Sequence, residues 1–386
     1  MRVPAVRARS IVAFVMAMAL AVTLPPPSVA DAAPMFYAAP TSFSAAYAIS
    51  ADGTTAVGDG TYAGSSAQGG AYAWSTSSAT PLGFYPGQAA PVRIAWDVSG
   101  DGSVVVGYGD SSAGQEAFRW TAAGGVQGLG DLAGGSFLSI AEGVSRDGNV
   151  VVGTGNGTGS AFRWTAAGGM LELPRVSFFS SAAATATNQN GGVTVGYCST
   201  SSTSVATRWT GGDAAVAASL GDLAGGATLS AADAVSGDGN FVVGYGTTAA
   251  GKEAFRWSVA GGLVSIGDLP GASVNARAFG VSDDGNVVVG QCNGINGNEA
   301  FVWDPVNGMR NLGAVLSSAG VDMTGWKLSW AQGVSADGMT VAGTGTYNNG
   351  TKQAFIAVIP EPASPLLAAC ATAALLIRRR RMRRLR

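Results

Sequence analysis

A turn motif, clearest as V-S-x-D-G followed by V-V-V-G, recurs seven times along this chain, and nothing else in the sequence restricts the possible folds so tightly. Its turn residues Asp52, Asp101, Asp147, Asn190, Asp238, Asp284 and Asp337 are spaced by 49, 46, 43, 48, 46 and 53 residues. A period in the forties made of short strands is the signature of propeller blades.

Each copy supplies four strands. The A-x-G-V-S stretch alternates and then meets D-G, a tight-hairpin signal that predicts positive φ at both turn positions. The chain returns as VVVG, a β-branched run suited to a strand buried on both faces. A Gly-, Ser- and Asn-rich loop leads to E-A-F-R-W, where Phe118 and Trp120 share one face while Ala117 and Arg119 share the other. A fourth strand around G-L-G-D-L completes the copy. No helical period interrupts the repeats, so the expected fold is all-β: a seven-bladed β-propeller of four-stranded blades over residues 31–359.

The ends of the array suggest how the ring shuts. The seventh copy has its E-A-F-R-W equivalent at residues 353–356 but no G-L-G-D-L strand after it. Met35 to Ala38, ahead of the first copy, falls in register with that missing element. It is therefore expected to pair with residues 353–356 as the outer strand of the last blade, leaving no open edge.

Both termini read as addresses. Arg2, Arg7 and Arg9 precede an apolar run over residues 11–24, and Ser28, Val29 and Ala30 offer small side chains to a signal peptidase, so residues 1–30 read as a secretory signal peptide. At the other end Pro360, Glu361 and Pro362 precede an apolar stretch over 363–377 and then an arginine cluster that includes Arg378, Arg379, Arg380 and Arg381. That stretch is short for a membrane span, and the basic run behind it would hold a cytoplasmic end in place. The position of the cluster, directly after an apolar segment in an exported chain, argues against a nucleic-acid patch.

This tripartite tail, residues 360–386, resembles the PEP-CTERM sorting signal of Gram-negative bacteria, which is read by an exosortase. The resemblance implies export, transient anchoring in the inner membrane, processing near Pro360 to Pro362, and delivery to the cell surface or the extracellular matrix. The short apolar stretch and Cys370 within it are departures. The repeats themselves resemble the extracellular HAF-repeat family, through E-A-F-R-W at 116–120 and 253–257, S-A-F-R-W at 160–164 and E-A-F-V-W at 299–303, each except the last followed by a Gly pair. The histidine of that family's motif is missing throughout, and the family implies no common activity.

Composition narrows the chemistry. With no histidine in 386 residues, hydrolase triads that need one are excluded, and the commonest neutral metal ligand is absent. Of the 22 basic residues, three precede residue 31 and seven follow Pro362, while all 24 acidic residues lie between, so the body carries about −12 and a polyanion partner is not expected on charge alone. Each D-G turn brings a single carboxylate, Asp283-Asp284 being the only doublet, where a calcium loop needs several at alternate positions, so these aspartates read as turn residues and no metal site or cofactor is predicted. Cys198 and Cys292 hold equivalent places two copies apart, too distant for a disulfide, and read as small half-buried side chains. The repeated Arg119, Arg163, Arg208 and Arg256 are expected to pair with acidic groups between blades.

Sites in propellers come from positions where the copies differ. One position varies sharply, two residues before the Val or Ile of the first strand, where Tyr47, Trp96, Glu142, Asp233, Phe279 and Gln332 stand. If the first strand is innermost, these side chains cluster around the central channel, offering aromatic faces beside carboxylates and an amide, which suits a sugar or a peptide. Two functions follow: a non-catalytic surface or matrix protein that binds exopolysaccharide or a surface protein, or a propeller glycosidase or polysaccharide lyase using Glu142 and Asp233 as its carboxylate pair.

Overall fold

Seven antiparallel four-stranded sheets succeed one another in the computed structural model, making the seven-bladed propeller that the repeats predict. The structure describes residues 33–39, 43–61, 69–157, 159–270, 273–348 and 350–360. The signal peptide and, of the sorting motif, Glu361, Pro362 and Arg378 to Arg381 lie outside them. No helix among the described residues is long and apolar enough to cross a membrane.

The innermost strands are Phe43–Ile49, Ile94–Val98, Ile140–Val144, Ser181–Thr187, Ala231–Val235, Ala276–Val281 and Trp326–Val334, one from each copy, and each pairs outward with the VVVG strand of its own copy. The core is correspondingly divided. Among the described residues seven buried apolar clusters lie one at each interface between neighbouring blades, from the first and second blades round to the seventh and first. The phenylalanine of the E-A-F-R-W strand anchors these layers: Phe118, Phe162, Phe255, Phe301 and Phe355 are each fully buried.

The closing strand is where the sequence placed it, but its partner lies two residues further on. Met35–Ala38 pairs with residues 355–358, Met35 opposite Val358 and Ala38 opposite Phe355, rather than with 353–356. In the observed register Phe36 faces the small Ala357, and its ring is free to stack on Phe355 at 5.6 Å and to meet Trp326 edge-on at 4.8 Å. A shift of two residues keeps the same side chains on the same face, so the alternation that suggested the strand does not fix its register.

The D-G turns also differ from expectation. Only the glycine enters the left-handed region, with φ of +75° at Gly102 and +77° at Gly239, while no turn aspartate has positive φ. The turn starts at the serine instead: Gly102 N–H donates to the Ser99 carbonyl at 3.0 Å. The Ser99 hydroxyl donates to Asp101 Oδ1 at 2.8 Å and accepts the Val104 N–H at 2.9 Å, and the other five serines of the motif repeat both bonds. In the degenerate fourth copy the Asn188 side chain takes over, accepting the Val193 N–H. Ser103 N–H and hydroxyl, with the Ser99 hydroxyl, hold the Asp101 carboxyl down at about 2. These aspartates are thus committed to their own turns.

Neighbouring turns are joined to one another. Asp52 N–H donates to Gly100 O, Gly100 N–H to Arg146 O, Asp147 N–H to Gln189 O and Gln189 N–H to Gly237 O. Gly237 N–H then donates to the Asp283 carboxylate, Asp283 N–H to Ala336 O, and Ala336 N–H to Ala51 O, completing the circuit. One end of the channel is therefore rimmed by an unbroken ring of hydrogen bonds.

Two short elements depart from the repeat. A helix, Leu312–Ser318, occupies part of the longest spacing, capped by Asn311, whose side chain accepts the Ala314 N–H at 2.9 Å, and it buries Leu312, Val315 and Leu316 against the seventh blade. A single 3-10 turn, Gly212–Ala214, precedes the outer strand of the fourth blade.

Candidate functional site

Each innermost strand carries an irregularity in its pairing that falls at the same place in every blade, and the strands of the first and seventh blades carry a second one nearer their start. The register slips between Ala46 and Ala48, Ala95 and Asp97, Ala141 and Gly143, Ala184 and Ala186, Ala232 and Ala234, Ala278 and Gly280, and Ala331 and Gly333. The skipped residues are Tyr47, Trp96, Glu142, Thr185, Asp233, Phe279 and Gln332. A β-bulge leaves its extra residue unpaired and re-aims its side chain. Here seven copies of that device send seven different side chains into the channel, where all of them line a cavity of about 180 Å³. The six residues singled out in the sequence are thus brought together. Thr185, the seventh, escaped notice because its copy has lost the Val-Ser signature that marks the position in the others.

The cavity wall has two chemically distinct sides. On one, the rings of Tyr47 and Trp96 lie 4.6 Å apart at a tilt of 48°. The Tyr47 hydroxyl hydrogen-bonds Asp59, and burial, then the Asp59 charge, push the Tyr47 phenol above its usual range. Asp59 is itself pushed up by burial. Trp96 Nε1 and Asp59 Oδ1 are both buried without a protein partner, so one donor and one acceptor remain unsatisfied beside the aromatic pair.

On the other side stand the acids. Glu142 accepts a hydrogen bond from Thr154 Oγ1 at 2.9 Å, and burial, with a smaller contribution from the Asp233 charge, lifts its carboxyl to about 7. Asp233 is held by Arg277 in a bidentate pair, Nε to Oδ2 at 2.7 Å and Nη2 to Oδ1 at 2.6 Å. Burial raises the Asp233 carboxyl, while Arg277 opposes that rise. The guanidinium is braced by two rings, 5.1 Å from Tyr245 and 5.2 Å from Phe279. Arg277 recurs in no other copy and Tyr245 shares its position with Tyr108 and Tyr197, so the repeat pattern does not mark the pair.

The end of the channel rimmed by the turns is crossed by an ion pair. Arg146 of the third blade reaches Asp283 of the sixth, Nη2 to Oδ1 at 2.5 Å, spanning the ring. Both residues occupy the variable x of S-x-D-G.

Glu142 makes a titration experiment direct. In the unfolded chain this carboxyl releases its proton near 4.5, whereas in the folded protein it holds it to about 7, so between these values the folded state binds more protons and stability falls as pH rises. Glu142→Gln is expected to remove a decline on the order of 2 to 3 kcal/mol between pH 4.5 and 8. Thermal unfolding of both proteins across that range checks it, and parallel pH profiles would refute it.

The repeated arginines correct an expectation. Three do not meet acids: Arg119 donates to Gly148 O, Arg208 to Gly239 O and Arg256 to Gly285 O, the carbonyl of the turn glycine in the next blade each time. A left-handed glycine turns its carbonyl outward toward the incoming guanidinium, which a motif-level reading of charges does not reveal. Only Arg163 pairs with a carboxylate, that of Asp213. Cys198 and Cys292 are buried and unbridged, in the fourth and sixth blades.

No protein-family model matches the chain, and no curated protein matches it. Solved structures do. The β-propeller domain of the trilobed protease from Pyrococcus furiosus, described as having an open velcro topology, aligns at 10% identity over 82% of this chain and 93% of that one, with a TM-score of 0.51. A prolyl endopeptidase aligns at 12% identity over 84% of this chain and 51% of that one, with a TM-score of 0.53. A puromycin-hydrolysing peptidase from Mycobacterium tuberculosis aligns at 15% identity over 79% and 50%, with a TM-score of 0.50. The chain spans about half the length of these two peptidases, and at such identities the likeness is one of fold: this chain is a β-propeller.

Proposed function

We propose that this protein is a non-catalytic binding propeller, exported and sorted by an exosortase to the cell surface or matrix, whose central cavity takes a sugar residue of an exopolysaccharide or surface glycan. The observation that carries the reading is the set of seven bulges, an identical backbone device presenting seven different side chains to one cavity. A cavity of about 180 Å³ is smaller than the roughly 300 to 1,000 Å³ of sites that enclose drug-sized ligands, which suits a single ring. Tyr47 and Trp96 supply aromatic faces for it. The sorting tail supports delivery to where such glycans lie.

The second reading, a glycosidase or lyase, draws on one observation: a carboxyl that keeps its proton to about pH 7 beside a second carboxylate has the form of an acid and base pair. Against it, both oxygens of Asp233 are already engaged by Arg277. The two readings part in one experiment with oligosaccharides of the producing cell's exopolysaccharide. Binding by the purified protein, weakened by about 1 to 3 kcal/mol in Trp96→Ala, is expected. Release of reducing ends or unsaturated sugars, abolished by Glu142→Gln or Asp233→Asn, would overturn it in favour of the enzyme.

A further inference from the structure

The body of the chain is strongly acidic, yet two cations gather behind the acid side of the cavity, next to its lining residues Asp233 and Phe279. Arg277 is fixed there by the bidentate pair with Asp233 and by the rings of Tyr245 and Phe279. Its Nε and Nη2 are occupied, while its Nη1 has no partner among the described residues, and 40% of the side chain is exposed. Lys252, on the neighbouring strand Gly251–Ser258, lays its ammonium over the Tyr245 ring at 4.2 Å and makes no hydrogen bond or ion pair among the described residues. Its charge acts on both Asp233 and Arg277. The hydroxyl-bearing rings of Tyr197 and Tyr245 complete the group, since both feel the charges of Arg277 and Asp233.

The charges here do not cancel. Asp233 is neutralised by Arg277 and Glu142 keeps its proton to about pH 7, so below that pH the ammonium of Lys252 is left over, beside a guanidinium edge that still has donors to give. A guanidinium immobilised by a carboxylate and two rings is organised before any ligand arrives, and charge-assisted hydrogen bonds to an anion are roughly twice as strong as neutral ones. Ordinary surface ion pairing does not explain the arrangement, because the lysine that could have found a carboxylate on an acidic protein packs on a tyrosine instead.

We propose that the sugar bound here is an acidic one, a uronic-acid-type residue whose carboxylate is held by Arg277 Nη1 and Lys252 Nζ beside the Asp233 and Phe279 wall of the cavity, while its ring extends into the cavity. The proposal rests on the sugar-binding reading above and names its ligand class. It also reconciles the cation pair with the overall charge: net negative potential disfavours long polyanions at a distance, and the recognition is confined to one residue that enters the channel.

The test uses the full-length protein, titrated with sodium glucuronate, glucose and sodium acetate at equal ionic strength and followed by tryptophan fluorescence and calorimetry. Glucuronate is expected to bind at least tenfold more tightly than glucose, and acetate more weakly than glucuronate. Lys252→Ala, a substitution of a half-exposed side chain, should lower the preference for glucuronate over glucose at least threefold, and Lys252→Arg should retain it. Glucose binding as tightly as glucuronate, or a preference unchanged in both Lys252→Ala and Arg277→Lys, overturns this proposal and leaves the sugar-binding reading standing. Acetate binding as tightly as glucuronate overturns the sugar half of it, and binding of none of the three overturns both readings together.

Discussion

Replacing Phe355 by alanine is expected to destabilise the ring by about 3 to 5 kcal/mol, as large-to-small changes at fully buried aromatic positions do. With an unfolding entropy of roughly 2.1 cal/mol/K per residue, a loss of that size lowers the Tm by roughly 6 °C for a propeller of this length. Phe355 is completely buried and sits in the core between the sixth and seventh blades, as Phe118 does between the first and second. Unlike Phe118, it also supports the closing strand, because Phe36 stacks on it. Phe355→Ala should therefore exceed Phe118→Ala by about 0.5 to 1.5 kcal/mol, the worth of an aromatic pair beyond its area. Chemical denaturation of both variants measures the difference, and equal losses would show that Phe36 adds nothing to closure.

Arg277→Ala should produce a comparable loss with a different signature. It strips both donors from Asp233, whose side chain is only 7% exposed, and leaves an uncompensated charge inside the channel. Breaking such a pair costs about 3 to 5 kcal/mol, and the lower end applies here because part of the arginine reaches solvent. The loss should depend on pH. Without the guanidinium the Asp233 carboxyl, already raised by burial, rises further, so the folded state holds a proton that the unfolded state has released. Stability of the variant then falls as pH rises and recovers as pH is lowered toward the range where Asp233 is protonated. The double variant Arg277→Ala/Asp233→Asn should recover most of the loss at pH 8. A deficit independent of pH and not relieved by the second change would show that Arg277 matters through packing alone.

How much of this was legible beforehand depends on whether a feature repeats. Blade number, strand order and the closing strand follow from a motif present seven times, and the channel residues were found as the one place where that motif varies. The bulges that aim them were invisible, since a bulge is a slip between two strands and leaves no mark in either one alone. Asp-Gly alone suggests a two-residue turn with positive φ at both positions, whereas the serine two residues earlier opens the turn and ties its ends through its own hydroxyl. Arg119, Arg208 and Arg256 were recognised as linking blades, yet their partner is a carbonyl that only a left-handed glycine exposes. Arg277 and the Arg146 to Asp283 bridge break the repeat individually. Their partners lie one or more blades away, and in the last case 137 residues apart, beyond the reach of any local pattern.

The pairing of Met35 with Val358 has a mechanical meaning. The two strands are antiparallel and their free ends leave from the same side of the pair, so the segments before Met35 and after Val358 diverge from one point. Tension between those segments loads the hydrogen bonds one at a time, from the Met35 end inward, as in opening a zip, instead of straining all of them together as a shear would. Seven cores hold the blades together side by side, but under a pull applied across its termini the ring yields first at four residues, and the outer strand of the seventh blade is the link that sets the force at which it opens.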